Sequence, residues 1–142
     1  MSNKTFAMIK PDAVASGKLG KVIDATLQAG FSIKGGRLTL ITRAQAEEFY
    51  AVHRERPFYG ELVDFMSSGP TFVMALEKDN AVQAWRDTIG ATDPAEAAEG
   101  TIRKMYAENK GRNAVHGSDS DENAEKEIAF FFSGAEIIAS NL

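Results

Sequence analysis

Two hydrophobic periods alternate along this chain, and the switches between them predict its elements. Thr5-Phe6-Ala7-Met8-Ile9-Lys10 is a nearly continuous apolar run, the pattern of a buried strand. Pro11 ends it, because proline cannot donate to a ladder, and Lys10 stands at the strand's end. Leu19, Val22, Ile23, Thr26 and Leu27 keep the i, i+3, i+4, i+7, i+8 spacing of a helix that packs one face. Gly30 stops that helix. Phe31 to Ile41 reads as a second strand, bulged or bent at Gly35-Gly36. Thr42-x-x-Gln45 is a capping box, and the helix it opens carries Ala46, Phe49, Tyr50 and His53 on one face.

Arg56-Pro57-Phe58-Tyr59-Gly60 breaks that helix, and a shorter one follows with Phe58, Leu62, Phe65 and Met66 in phase. Gly69-Pro70 ends it. Thr71 to Leu76 is a third strand, and Asn80 to Ile89 a helix with Val82, Trp85 and Ile89 inward. Asp93-Pro94-Ala95-Glu96 combines an N-cap, a proline at the first helical position and a glutamate two residues on. Gly100-Thr101 opens a further turn that contains Arg103. After a polar stretch from Ala107 to Arg112, the run Asn113-Ala114-Val115-His116 ends a buried strand. Ser120 caps the last helix, about Asp121 to Phe132, whose first-turn Asp121 and Glu122 suit a helix N-terminus. Its apolar stripe is Ala124, Ile128, Phe131 and Phe132, and Glu127 shares that inward face. The order β-α-β-α-α-β-α-β-α implies split βαβ units, hence an α+β sandwich of ferredoxin-like type with a four-stranded antiparallel sheet covered by helices.

Composition narrows the chemistry. A chain of 142 residues is expected to form one domain, residues 1–142. There is no cysteine, so disulfides, thiolate nucleophiles and cysteine zinc sites are excluded. No run is long enough to span a bilayer and the N-terminus has no apolar signal core, so a cytoplasmic protein is expected. A net charge of −4 argues against broad nucleic-acid binding, and an anionic ligand would need cations gathered locally. The chain has no GxxxxGK[ST] loop, no HExxH and no Ser-centred elbow. Gly17-Lys18-Leu19-Gly20 is not a dinucleotide fingerprint.

What remains is one candidate nucleophile or base, His116, at a strand–loop–helix junction where Gly117 permits a sharp turn. The inward carboxylate Glu127 lies downstream, and an unpaired charge on that face would be expelled or neutralised. The cations Lys10, Arg86 and Arg103 stand near element ends. Together these groups suit phosphoryl transfer, in which charge on the moving group is neutralised and held in line. A lone histidine beside an apolar run is more often a packing residue; the joint occurrence carries the argument.

Thr5-Phe6-Ala7-Met8-Ile9-Lys10-Pro11-Asp12-Ala13 and Asn113-Ala114-Val115-His116-Gly117-Ser118-Asp119-Ser120 resemble the two signature segments of nucleoside diphosphate kinases. Arg56 to Gly60, Ser68 to Pro70, Gly90 to Pro94, Gly100 to Arg103 and Ala124 to Ile128 follow in family order, so the resemblance covers nearly the whole chain. It implies a reversible ping-pong reaction in which a nucleoside triphosphate such as ATP phosphorylates a histidine, which then phosphorylates a nucleoside diphosphate, with Mg²⁺ on the phosphates. Carried over residue by residue, it makes His116 the phosphocarrier, oriented by Tyr50 and Glu127, with Ser118 supporting Glu127. Lys10 and Asn113 would meet ribose and phosphates; Arg86, Thr92 and Arg103 would hold phosphates. Phe58 would stack on the base, and Asp119 would reach Mg²⁺ through water. A homo-oligomer (dimer, tetramer or hexamer) is implied as well. Lys104-Met105-Tyr106 departs from the small, acidic, aromatic residues usual after Gly-Thr-Ile-Arg, and the lost carboxylate is expected to weaken local support of Arg103. The sequence stops soon after Ile138, short of the longer tail of many eukaryotic members. The rival readings are a phosphohistidine relay to another protein and a non-catalytic nucleotide- or nucleic-acid-binding module.

Overall fold

The computed structural model describes residues 3–139. Four strands, β1 (Lys4–Ile9), β2 (Ser32–Thr39), β3 (Thr71–Glu77) and β4 (Val115–Gly117), form one sheet in the order β2-β3-β1-β4. All three pairings are antiparallel. The helices are α1 (Pro11–Ala15), α2 (Leu19–Gln28), α3 (Arg43–Phe49), α4 (Tyr59–Met66), α5 (Ala81–Ile89), α6 (Ile102–Tyr106) and α7 (Asp121–Phe131). This is the ferredoxin-like α+β arrangement that the element order implied.

The apolar runs of β1 and β3 are continuous because the sheet is covered on both faces. Alternation along the strands sorts them into two cores. Ala7, Ile9, Met74, Leu76 and Val115 pack with Val22 of α2 and Trp85 and Ile89 of α5. Phe6, Met8, Val73 and Ala75 pack with Ala46, Val63, Met66 and Phe131, from α3, α4 and α7. His116 is paired with Met8, so it belongs to the second face and points toward α3 and α7.

Several boundaries moved. Pro11 does more than end β1: it opens α1, where its missing N–H costs nothing. The helix after Thr42 ends at Phe49, with Tyr50 as its C-cap and His53 in a following 3₁₀ turn. The capping box is present as expected. The bulge in β2 falls between Ile33 and Gly35. Leu27 lies 49% exposed, off the buried line of Val22 and Thr26. Asp93-Pro94-Ala95-Glu96 makes a turn and not a helix. The Asp93 carboxylate accepts the Ala95 N–H at 3.0 Å and its carbonyl accepts the Glu96 N–H. Only Ala97 nearby is buried, and a short helix without an apolar face to pack does not propagate. Helix α7 stops at Phe131, with Phe132 as its cap.

Gly117, paired with Ala7, shows how tightly β4 is packed. A Cβ there would stand 2.8 Å from Trp85 Cδ1 and 3.1 Å from Ile89 Cδ1. Gly117→Ala is therefore expected to cost about 1–3 kcal/mol through overpacking. Urea unfolding should show a lower midpoint with an unchanged slope; an unchanged midpoint would contradict the packing.

Candidate active site

Strand β4 begins with an unusual backbone. Ala114 has φ +71°, and the Val115 N–H donates to the Asn113 carbonyl at 2.8 Å. This is the positive-φ form of the three-residue γ-turn, rare and strained for an L-residue. A left-handed non-glycine residue costs of order 1–3 kcal/mol and persists where its surroundings over-determine it. Here they do. The Ala114 N–H donates to Asp12 Oδ2 at 3.0 Å, and the Ala114 carbonyl accepts the Lys10 N–H at 2.8 Å. Further on, Arg103 Nη2 donates to the Val115 carbonyl at 2.9 Å and Trp85 Nε1 to the His116 carbonyl at 3.1 Å.

The strand so held presents the His116 ring, half-buried, to three aromatic rings. Phe49, Phe6 and Tyr50 stand edge-on with centroids 5.6, 5.9 and 6.5 Å away. His116 Nε2 lies 2.9 Å from Glu127 Oε1. A carboxylate only accepts, so the neutral ring carries its proton on Nε2 and its lone pair on Nδ1. Ser118, buried just after β4, donates its hydroxyl to the same Glu127 oxygen at 2.8 Å. The inward-phased glutamate of α7 thus has the imidazole partner its position demanded. Tyr50 keeps a buried hydroxyl with no hydrogen-bond partner among the described residues. Burial first, then the Glu127 charge, pushes its phenol well up, so it stays a protonated donor.

A cavity of about 590 Å³ opens beside this group. His116, Glu127, Tyr50, Asp119, His53 and Phe130 are among its lining residues. Asp119 is exposed, and its Oδ1 accepts from Asn123 Nδ2 at 2.6 Å. Among the described residues no three His, Cys, Asp or Glu gather into a metal cage.

Lys10, Arg86 and Arg103 form a second group, none of which lines this cavity. Lys10 Nζ donates to Asn113 Oδ1 at 2.9 Å, and Asn113 Nδ2 donates to the Thr92 carbonyl at 3.3 Å. Burial chiefly, then the Arg103 charge, pushes Lys10 down from 10.5 to about 8, with Asp12 opposing. Arg103 is buried, its Nη1 on the Gly90 carbonyl and Nη2 on Val115. Burial and then the exposed Arg86 push it down to about 10, which leaves it charged at neutral pH. Its partners are carbonyls, and its Nε is buried without one. Replacement of the usual acidic residue by Met105, which is 48% exposed, thus leaves the guanidinium anchored by backbone. Phe58 is 47% exposed at the start of α4, its ring 5.5 Å from that of His53.

The sequence-predicted residues therefore divide into three sets: His116, Glu127 and Ser118 joined by hydrogen bonds with the Tyr50 ring edge-on to the imidazole; Lys10, Asn113 and Thr92 linked in turn, with Arg103 acting on Lys10 and Arg86 on Arg103 through their charges; and Phe58 and Asp119 exposed. Sequence reasoning missed Phe49 against the imidazole, Asp12 under Ala114, and Trp85 on the His116 carbonyl. Phe49 and Trp85 carried only the signal of inward helical phase. Asp12 had one more clue, a carboxylate directly after a buried strand and a proline.

The family model described as nucleoside diphosphate kinase matches residues 3–137. A nucleoside diphosphate kinase of Chlorobium luteolum is 59% identical over 138 residues, 97% of this chain and 99% of that one. One of Flavobacterium psychrophilum is 59% identical over 135 residues, 95% and 97% of the two chains. Among solved structures, the nucleoside diphosphate kinase of Aquifex aeolicus superposes with a TM-score of 0.94 at 48% identity, covering 96% of this chain and 99% of that one. The halophilic enzyme of Halobacterium salinarum, solved in complex with CDP, gives 0.93 at 38% identity, covering 100% and 95%. With the match running through both signature segments and the whole sheet, the chain belongs to the nucleoside diphosphate kinase family, phosphotransferases that act through a phosphohistidine.

Proposed function

We propose that His116 is the residue that carries the phosphate. The observation that supports this is the Glu127–His116 pair, 2.9 Å apart with Ser118 on the same oxygen. It fixes the tautomer with Nδ1 free to attack. The Nδ1 lone pair forms a bond to the terminal phosphorus of ATP or another nucleoside triphosphate. The bond from that phosphorus to the bridging oxygen breaks, and the nucleoside diphosphate leaves with the electron pair. Glu127 stabilises the positive charge that develops on the ring. A second nucleoside diphosphate takes the phosphate by the reverse path. Tyr50 offers its unpartnered hydroxyl, and Lys10, Arg86, Thr92, Arg103 and Asn113 bind ribose and phosphates. Phe58 stacks on the base, which every base tolerates because each has a π-face. Asp119 would hold Mg²⁺ through water, and the cation would supply charge neutralisation on the phosphates.

The same reading takes residues 1–142 as one kinase domain, cytoplasmic and assembled as a homo-oligomer. No helix among the described residues is long and apolar enough to cross a membrane.

Site mapping by mass spectrometry after ATP treatment tests the assignment. His116→Ala is expected to form no phosphoenzyme while keeping its fold; label on another residue would sink it. Glu127→Gln keeps the shape and loses the charge. Single-turnover phosphorylation should slow by roughly 10²–10⁴-fold, the scale of a positioned acid–base group, with little change in nucleotide affinity. An unchanged rate would make Glu127 a structural carboxylate.

Lys10 sets a pH limit. Its charge is lost as pH rises through about 8, so kcat/KM is expected to fall there. The stability linkage has the opposite sign. Between about 8 and 10.5 the unfolded chain holds the lysine proton and the folded chain does not, so the contribution of Lys10 to stability rises with pH. Lys10→Arg, which stays charged, should move the alkaline limb upward in a pH–rate profile at reduced maximal rate. A limb that stays near 8 would assign it to another group.

A further inference from the structure

Asp12 has no place in the transfer chemistry, yet it is a carboxylate only 6% exposed, on a five-residue helix directly behind the phosphate site. Burying such a group is costly unless its bonds repay the loss of water. Oδ2 accepts the Ala114 N–H at 3.0 Å, while Oδ1 is buried with no partner among the described residues. A side chain kept only for packing would be better apolar. The single bond it makes goes to the one strained residue of the segment that leads into His116.

We propose that Asp12 is a positioning residue: its carboxylate clamps Ala114 in the left-handed γ-turn and thereby sets where β4 presents His116 for attack. The inference rests on His116 as the phosphate acceptor. Without the clamp, Ala114 relaxes toward negative φ, where an L-residue belongs. The turn lies between Asn113, whose amide oxygen accepts from Lys10 Nζ at 2.9 Å, and Val115, whose carbonyl accepts from Arg103. Relaxation would therefore displace the nucleophile and the partners of two phosphate-site cations together. The clamp is also tied to the other side of the site through the chain itself. Asp12 follows Lys10 by two residues, and the Lys10 N–H donates to the Ala114 carbonyl. Residues 10–12 thus hold both ends of one peptide turn. The Asp12 charge, besides, favours the protonated form of Lys10.

The strain makes the proposal testable by relief. Glycine adopts positive φ as readily as negative, so Ala114→Gly should remove most of the need for the clamp. Single-turnover phosphorylation by ATP is measured for the full chain, with nucleotide affinity and thermal melting alongside. Asp12→Ala is compared in the wild-type background and in the Ala114→Gly background, a double-mutant cycle. In the wild-type background it is expected to slow phosphorylation about tenfold to hundredfold, the scale of a displacement near 1 Å, with a smaller change in nucleotide affinity. In the Ala114→Gly background the loss should shrink several-fold. Asp12→Asn, which keeps an acceptor oxygen, should retain most of the rate.

A merely structural carboxylate would lower the melting temperature and leave the rate per folded molecule unchanged; that result overturns the proposal. So does an equal loss in both backgrounds. If Asp12→Ala alone does not fold, the Asp12→Ala/Ala114→Gly pair and Asp12→Asn decide: rates near wild type in both support the clamp, and a hundredfold loss in either overturns it. Label on a residue other than 116 in the unmodified chain would instead remove the acceptor reading, whatever the Asp12 series gives.

Discussion

A strand of three residues cannot hold its own register, and β4 is such a strand. Its ladder to β1 covers only Val115, His116 and Gly117. His116 sits in the middle of it. Everything else in the site follows from how the fold makes up the deficit. Three side chains from three helices bond to backbone groups of residues 114 to 116: Asp12 from α1, Arg103 from α6 and Trp85 from α5. Buried backbone groups must be paired, and here the pairing comes from side chains where a longer strand would have used its neighbour. The result is a histidine on a rigid scaffold with its imidazole free to react.

The same economy explains the electrostatics. Arg103 spends two of its donors on carbonyls of Gly90 and Val115, so a cation is fixed near the site without a carboxylate to neutralise it. Burial and Arg86 depress it, and it in turn depresses Lys10. The positive field is thus built from mutually repelling groups, a preorganised charge that a bound polyanion would relieve. The negative partner is kept apart, on α7, where Glu127 meets the other edge of the imidazole. Separation lets one ring feel a carboxylate at Nε2 while the cations stand apart from it.

Periodicity made much of this legible. The two strand runs, the inward phase of Trp85 and Glu127, and the caps at Thr42 and Ser120 follow from local rules, and each has its counterpart in the structure. Patterns failed where a local signal lacked tertiary support. Asp93-Pro94-Ala95-Glu96 has every mark of a helix start and no apolar face to bury, so it stays a turn. Leu27 fits a helical stripe yet lies past its edge. Pro11 after a strand reads as an end, although a proline equally permits a helix to begin. The left-handed Ala114 carries no composition signal at all, since alanine is the best helix former and a poor turn residue. Its conformation is imposed from residues distant in sequence, and only coordinates reveal it.

The bond from Trp85 to the His116 carbonyl has an optical consequence. The chain contains one tryptophan, wholly buried, with the indole N–H on the His116 carbonyl and the ring edge against Phe31. Its indole emission therefore comes from one ring in one buried environment. Indole emission responds to the field along its ring and to the strength of its N–H bond. With His116 as the proposed acceptor, a phosphate arriving there would change both through one peptide unit. On that reading the indole is an intrinsic dye at the back of the reaction centre, able to report turnover in real time without a label.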